Sequence, residues 1–369
     1  MLVPVRLPPV EAAAAIRAAW DAARPVAPLD PAAGPRQREQ QEAAIAADRV
    51  VHFDVAAVVL TSGTAGEPRA VELTWRGMAF LARWVPAGPG DRWLCCLPLH
   101  HVAGLAVLAR AGASGVPVDV LDRFDVEAVA ESKATLVSLV PTQVRRLLAA
   151  GADLSRFRTI LVGGAPVPPG IAALPNVTTT YGLTETWGGV VHDGRPLPGV
   201  EIELARDGEI VVRSPTVMRG YRLDGPATDA VLGLDGRLRT GDVGRWTADG
   251  RLEVVDRKKD LVVTGGVNVS PTAVEGALIG HPAVADVCVT GAPDPEWGER
   301  VVAYVVPDPA AGPAPSLDEL RDFARPHLAP AQLPRQVVVV DEIPRTPGGK
   351  PLRRLLRPLS MDDVHGEGR

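Results

Sequence analysis

Only three cysteines occur in this 369-residue chain, and two of them, Cys95 and Cys96, are adjacent. An odd, partly adjacent set excludes a disulfide framework as the basis of the fold and points to a reducing cytoplasm. The amino terminus, MLVPVRLPPVEAAAA, lacks a basic segment followed by an apolar core and a small-residue cleavage site, so no signal peptide is expected. No uninterrupted apolar run is long enough to cross a bilayer, and no membrane insertion is expected. No large excess of one charge is present either. The formal net charge is -5, and the basic clusters Arg257-Lys258-Lys259 and Arg353-Arg354 are short enough to read as solvated surface, so nucleic acid is not an expected partner. No internal repeat is visible. What remains is a chain 46% hydrophobic and 22% charged, a globular composition, at a length that fits two domains or one large domain with an appendage.

The first part alternates helical and strand-like segments. Glu11 to Ala23 is Ala-rich and helix-forming, and Pro25 to Gly34 is a Pro-rich connection. Val55-Ala56-Ala57-Val58-Val59-Leu60 is a continuous apolar run, which suits a strand buried on both faces. Further strands are expected at Trp93–Leu97, Val116–Leu121, Leu136–Leu139, Thr159–Val162 and Val177–Tyr181, with a helix at Gln143–Ala150. Such alternation predicts an α/β fold with mixed or parallel sheets. Short β-rich pieces follow at Glu201–Leu204, Glu209–Val212 and Arg251–Val255. They are broken by Asp-Gly pairs that tolerate tight hairpins, so this stretch reads as a small antiparallel, barrel-like part. After Lys259 the pattern resets to a compact α+β unit with strands at Val284–Thr290, Val301–Val306 and Gln336–Val340. A helix over Ser316–Leu328 is opened by a capping box of Ser316 and Glu319. The expected division is a large N-terminal domain, residues 1–257, and a small C-terminal domain, residues 258–369.

The strongest local feature is Thr61-Ser62-Gly63-Thr64-Ala65-Gly66-Glu67-Pro68-Arg69, directly after the apolar run. Glycines let backbone N–H groups approach an anion, hydroxyls add donors, and a cation at the end adds charge-assisted contacts to phosphate. It is not the loop of P-loop NTPases, because no Gly-Lys-Ser/Thr follows. This loop resembles the phosphate-binding signature of the acyl-adenylate-forming enzymes, the family of acyl-CoA synthetases, luciferase and peptide-synthetase adenylation domains. The family's Pro-Lys-Gly is here Pro68-Arg69-Ala70, which keeps the charge and changes its shape.

The family's other signatures arrive in its order, from residue 55 to residue 353. Pro98-Leu99-His100-His101-Val102-Ala103-Gly104 resembles its Pro-Leu-Phe-His-x-x-Gly segment and puts His101 near the acyl pocket; without the family, a helix start or a buried imidazole explains either histidine. Gly163-Gly164-Ala165-Pro166 resembles the segment that packs on adenine, although a tight turn would explain it alone. Thr180-Tyr181-Gly182-Leu183-Thr184-Glu185 is more specific. The resemblance implies Tyr181 stacked on adenine, Thr184 reaching phosphate and Glu185 holding Mg²⁺. Asp242, in Arg239-Thr240-Gly241-Asp242, would accept from both ribose hydroxyls. Asp256-Arg257-Lys258-Lys259-Asp260 resembles the family's Gly-Arg-x-x-Asp linker, with Asp256 in place of Gly, Arg257 touching ribose or phosphate and Lys259 as the hinge of a mobile lid. Gly265 and Gly266 would line the approach of the pantetheine thiol, with Glu275 following. Pro344-Arg345-Thr346-Pro347-Gly348-Gly349-Lys350-Pro351-Leu352-Arg353 marks Lys350 as the adenylation lysine.

The implied activity is an ATP-dependent acid–CoA ligase acting on a carboxylic acid, with ATP, Mg²⁺ and coenzyme A. The segment Trp93–Leu105, and a stretch before the phosphate loop that is short for the family, resemble its o-succinylbenzoate–CoA ligases of menaquinone biosynthesis. By position Thr142, Gln143 and Trp187-Gly188-Gly189 are acyl-pocket candidates, with ordinary packing as the alternative. Two other readings stay open: an adenylation enzyme loading a separate carrier protein, and a catalytically silent nucleotide-binding homologue. The sequence leaves the oligomeric state open, a homodimer included.

Overall fold

The computed structural model describes residues 1–62, 68–345 and 351–356. Its contacts divide the chain into two units. The first comprises residues 1–205, 210–240 and 246–252; the second takes the remainder, including the short pieces 206–209 and 241–245.

The first unit contains a sheet in the order Val3–Val5, Val26–Pro28, Val55–Ser62, Pro68–Thr74, Gly220–Tyr221. The apolar run is its central strand, and Val55 to Val59 have no exposed surface. A second sheet is ordered Arg195–Pro196, Gly188–His192, Val177–Leu183, Thr159–Val162, Leu136–Leu139, Trp93–Cys95, Val118–Val120. Its last five strands run parallel. Successive residues of Trp93 to Cys96 feed opposite cores. Trp93 and Cys95 join Leu105 and Leu108 of the helix Val102–Ser114, while Leu94 and Cys96 join Val144 and Leu147 of Pro141–Ala149. Alternation at period two thus buries both faces, the expected state of a parallel sheet. Burial pushes both thiols up to about 12, so the adjacent cysteines are apolar packing groups.

Glu201–Leu204, Glu209–Arg213, Leu238–Trp246 and Leu252–Arg257 form a four-stranded sheet, and the division between the units falls within these strands. The second unit also carries Val267–Val269, Val262–Thr264, Gly298–Pro307 and Val284–Asp294, with Gln336–Val339 added parallel to Gly298–Pro307. The helices Pro271–Leu278 and Leu317–Ala324 contribute Val274, Leu278, Leu320 and Ala324 to its core. The capping box is present: Glu319 N donates to Ser316 Oγ at 3.3 Å, and Ser316 N donates to Glu319 Oε2 at 2.8 Å. Among the described residues no helix is long and apolar enough to cross a membrane.

Several strands were not expected, among them Val26–Pro28, which lies inside the stretch Pro25–Gly34 read as a connection and pairs with Val3–Val5 and Val55–Ser62, and two further ones are instructive. Pro68–Thr74 begins with a proline and alternates polar residues, yet it pairs along the length of Val55–Ser62. Leu238–Trp246 carries the Thr-Gly-Asp motif that in isolation reads as a turn. Pairing partners distant in sequence override local preference in both.

The first sheet is tied to its surroundings through Arg222, whose side chain is 1% exposed and pairs with Glu72 at 2.8 Å. The same guanidinium donates to the carbonyls of Ile45, Ala46 and Arg49 at 2.5, 3.0 and 2.9 Å. The Ile45 and Ala46 carbonyls end the helix Pro35–Ile45 and have no partner within it, and Arg49 lies in the bend that follows. Removing one member of a buried, hydrogen-bonded pair strands the other groups. Arg222→Ala should therefore cost about 3–5 kcal/mol in urea denaturation, and Arg222→Lys should not restore the loss, because an ammonium cannot reproduce the fork.

Candidate active site

In the first unit the phosphate-loop signature bridges two paired strands. Thr61 and Arg69 face each other in the pairing of Val55–Ser62 with Pro68–Thr74, and Thr61 Oγ1 donates to the Arg69 carbonyl at 3.4 Å. Ser62 ends its strand, and Gly63, Thr64, Ala65, Gly66 and Glu67 lie outside the described residues.

The adenine-side segment follows the strand Thr159–Val162. Gly164 has φ +81°, a left-handed conformation that glycine adopts without strain. A Cβ on Gly163 would collide with the Thr180 hydroxyl, so this segment lies against Val177–Leu183, the strand that presents Thr180, Tyr181 and Gly182. Ala165 and Pro166 are exposed. A side chain at Gly182 would strike the Gly188 carbonyl, which accounts for glycine between Tyr181 and Leu183. The strand passes into a short turn, Thr184–Thr186. Thr186 is buried, accepting from Leu183 N at 2.9 Å and donating to Gly188 O at 2.8 Å. The turn thereby holds Glu185 from both sides. Met218 N donates to the Glu185 carbonyl at 2.7 Å, and the Tyr221 hydroxyl donates to Glu185 Oε1 at 2.9 Å. Arg69 lies with its guanidinium carbon 5.3 Å from the centre of the Tyr221 ring. Arg69, Tyr221 and Glu185 are thus brought together, and nothing local in the sequence signals Tyr221.

His101 caps the helix Val102–Ser114 by position, with its ring 4.5 Å from that of His100. A Cβ on Gly104 would clash with the Pro98 carbonyl, so the Pro-Leu-His-His turn packs close against the first turn of this helix. The acyl-pocket candidates have structural partners. Gln143 Oε1 accepts from Val140 N at 3.0 Å and closes the start of its helix, to which Thr142 also belongs. Trp187 is fully buried, donates to the Thr74 carbonyl at 3.0 Å and fills the space above Gly77; Gly188 and Gly189 follow on the next strand.

In the second unit Asp242 is buried and lies 2.6 Å from Arg257 Nε. Gly241, at φ +70°, donates its N–H to Glu209 Oε1 at 3.1 Å. Glu209 and Asp207 both bond Lys258, at 3.2 and 2.6 Å, whereas Lys259 is exposed in the turn Lys258–Asp260. Asp256, which stands where the family has glycine, is buried and accepts from Ser270 Oγ at 2.8 Å and Thr272 N at 2.9 Å. It thereby supports the capped start of Pro271–Leu278. Gly265 and Gly266 have φ of +55° and +77° in the turn between Val262–Thr264 and Val267–Val269, and Gly265 N donates to Trp297 O at 2.8 Å.

Lys350 lies outside the described residues, but both sides of its segment are anchored. Arg345 pairs with Asp286 at 2.8 Å and bridges to Pro351, and Leu352 N donates to Pro344 O at 2.8 Å. Arg353 pairs with Glu275 at 2.6 Å and donates to Val289 O at 3.0 Å.

Magnesium takes oxygen ligands and commonly uses one or two carboxylates plus substrate phosphates rather than an all-protein cage. Glu185, with one oxygen held by Tyr221 and Thr184 beside it, fits that requirement. Among the described residues no group of three His, Cys, Asp or Glu side chains could hold a metal alone.

A doubly covered α/β sheet whose strand Val177–Leu183 carries Tyr181 and runs into the turn of the braced Glu185 carboxylate fits a nucleotide-binding enzyme. The chain belongs to the AMP-binding enzyme family: that family's model matches residues 8–222, and the model of the AMP-binding enzyme C-terminal domain matches residues 273–350. Within it the chain is similar to the probable 2-succinylbenzoate–CoA ligase of Mycobacterium tuberculosis, at 37% identity over 87% of this chain and 89% of the relative. It is 32% identical to the 2-succinylbenzoate–CoA ligase of Listeria monocytogenes over 82% of this chain and 69% of the relative. Its fold is similar to o-succinylbenzoate CoA synthetase from Bacillus subtilis in complex with the acyl-adenylate intermediate OSB-AMP, with TM-score 0.84, 29% identity and coverage of 97% and 88% of the two chains. The same enzyme in complex with ATP and magnesium ion superposes with TM-score 0.83 at 28% identity, over 96% and 88% of the two chains.

Replacing Asp256 by glycine, the family's residue, should remove the acceptor of Ser270 and Thr272. The expected cost is about 1–2 kcal/mol in chemical denaturation, with Asp256→Asn retaining part of the stability.

Proposed function

We propose that this chain is an AMP-forming 2-succinylbenzoate–CoA ligase of menaquinone biosynthesis, using ATP, Mg²⁺ and coenzyme A in the cytoplasm. The observation that carries the reading is Glu185, held by Tyr221 in the turn that follows Tyr181 and Gly182, in a chain 37% identical across 89% of a probable enzyme of that activity.

A carboxylate is a poor acyl donor because its leaving group would be oxide. In the first half-reaction a carboxylate oxygen of the acid attacks the α-phosphorus of ATP, and the bond to the bridging oxygen breaks to release pyrophosphate. Two anions must meet, so positive charge and hydrogen-bond donors are needed where the charge develops. In this proposal residues Thr61 to Gly66, Arg69 and Thr184 hold the phosphates, and Tyr181 with Gly164, Ala165 and Pro166 holds adenine. Asp242 and Arg257 hold ribose, His101 borders the acyl pocket, and Lys350 bridges carboxylate and α-phosphate. Glu185, together with the phosphates, would hold magnesium, which when bound would supply electrostatic neutralisation. In the second half-reaction the CoA thiol, losing its proton, attacks the adenylate carbonyl and AMP leaves. We assign residues 1–257 to the nucleotide and acyl pocket, and residues 258–369 to a mobile lid hinged at Lys259 that brings Lys350 to the first step and Gly265-Gly266 to the second. Homodimeric assembly belongs to the same proposal.

Pyrophosphate release from ATP and 2-succinylbenzoate, followed with and without CoA, tests the reading directly. The expected result is release that depends on the acid, with the CoA thioester formed only when CoA is present. No release across a panel of aryl and acyl acids would overturn it. Lys350→Ala should lower adenylate formation at least about 100-fold, while thioester formation from supplied acyl-adenylate stays within about threefold. Equal loss in both half-reactions would contradict the roles assigned.

A further inference from the structure

Glu185 has two carboxylate oxygens and only one of them has a described side-chain partner. The Tyr221 hydroxyl donates to Oε1 at 2.9 Å, and the main chain of Glu185 is pinned by Met218 N. Tyr221 is itself placed by the fold. It pairs with Val71 in the short strand Gly220–Tyr221, and its N–H donates to Thr228 Oγ1 at 2.9 Å. On either side of that strand, Arg219 N donates to Glu72 O and Arg222 N to Ala70 O, at 2.8 and 2.7 Å. The ring therefore has little freedom to leave the carboxylate. Its face is taken by Arg69, 5.3 Å from the ring centre. Arg69 is also the point at which the phosphate-loop signature departs from its usual lysine. A planar, weakly hydrated guanidinium can lie on an aromatic face, and an ammonium on a flexible stem does so less well.

We infer that Tyr221 is a positioning residue for the divalent cation of the nucleotide, fixing Glu185 through Oε1 so that Oε2 is presented to the metal, with Arg69 bracing the tyrosine ring. The inference rests on the proposed nucleotide chemistry and adds to it a partner shell for Glu185 that ties the arginine departure to the metal-binding carboxylate. Partners of this kind orient a metal ligand, and losing one typically weakens metal affinity about 10- to 100-fold.

Calorimetric titration of the full-length protein with ATP, once with Mg²⁺ and once with EDTA, reads this without turnover. The wild-type protein is expected to bind ATP more tightly with Mg²⁺. Tyr221→Phe, which removes only the hydroxyl, should lose about tenfold of that Mg²⁺-dependent gain, while its affinity in EDTA and its melting temperature stay near wild type. Added to Glu185→Gln it should have no further effect on the gain, because the group it positions is already altered. Arg69→Lys should lose part of the gain. Equal weakening of Tyr221→Phe in Mg²⁺ and EDTA would reduce the tyrosine to a packing role, and a full Mg²⁺-dependent gain in that variant would overturn the inference while leaving the ligase reading intact. A wild-type protein that binds no ATP in either condition would overturn both.

Discussion

Much of the first unit depends on how one short strand is held. Residues 219–222 add to the edge of Pro68–Thr74 through main-chain bonds, and Arg222 then buries its guanidinium against Glu72 and the carbonyls at the end of Pro35–Ile45. A charge removed from water is tolerable only when it is paired and its remaining donors are satisfied. Meeting that demand recruits the end of a helix, a neighbouring strand and the edge strand into one network. Tyr221, the adjacent residue, takes its direction from the same network and hands it to Glu185. A structural ion pair and a candidate metal ligand are thus separated by a single tyrosine.

The second unit shows the same economy. Asp256 serves the start of Pro271–Leu278, Glu275 from that helix receives Arg353, and Arg353 flanks the segment of Lys350. Burial pushes the Glu275 carboxyl up, and the Arg353 guanidinium beside it opposes that push. The pair therefore joins helix to loop through a charge-assisted bond that solvent screens little. Buried Asp242 and half-buried Arg257, a second pairing, lie on two strands of the four-stranded sheet. Polar groups in both units are thus constrained by fold-building contacts, which is how a site obtains preorganised geometry.

Legibility in the sequence followed the physics of each element. Leu136–Leu139 and Thr159–Val162 were read to the residue because apolar, β-branched runs between turn signals leave little alternative. The capping box at Ser316 was equally plain, since both of its bonds lie within four residues. Pro68–Thr74 and Leu238–Trp246 were not legible, because their stability comes from partners that no local window contains. Gln143 and Trp187 were read as acyl-pocket candidates by position, and the structure gives the first a helix-starting bond and the second a core site. Among the motif residues, Glu185 and Asp242 stood out in the sequence by motif, and the groups that hold them did not. Tyr221 and Glu209 carry no pattern that a reader could recognise.

By itself the sequence determined the class of chemistry: an ordered series of glycine, hydroxyl, aromatic and carboxylate residues whose types match phosphate, base, ribose and a hard cation. Side-chain chemistry is a property of the residue, so it survives being read one letter at a time. Which of those groups are braced, and by what, was decided only by tertiary structure. Hydrogen bonds and ion pairs act over about 3 Å, and Glu185 meets Tyr221, or Arg222 meets Glu72, only after the chain has folded residues far apart in sequence into contact.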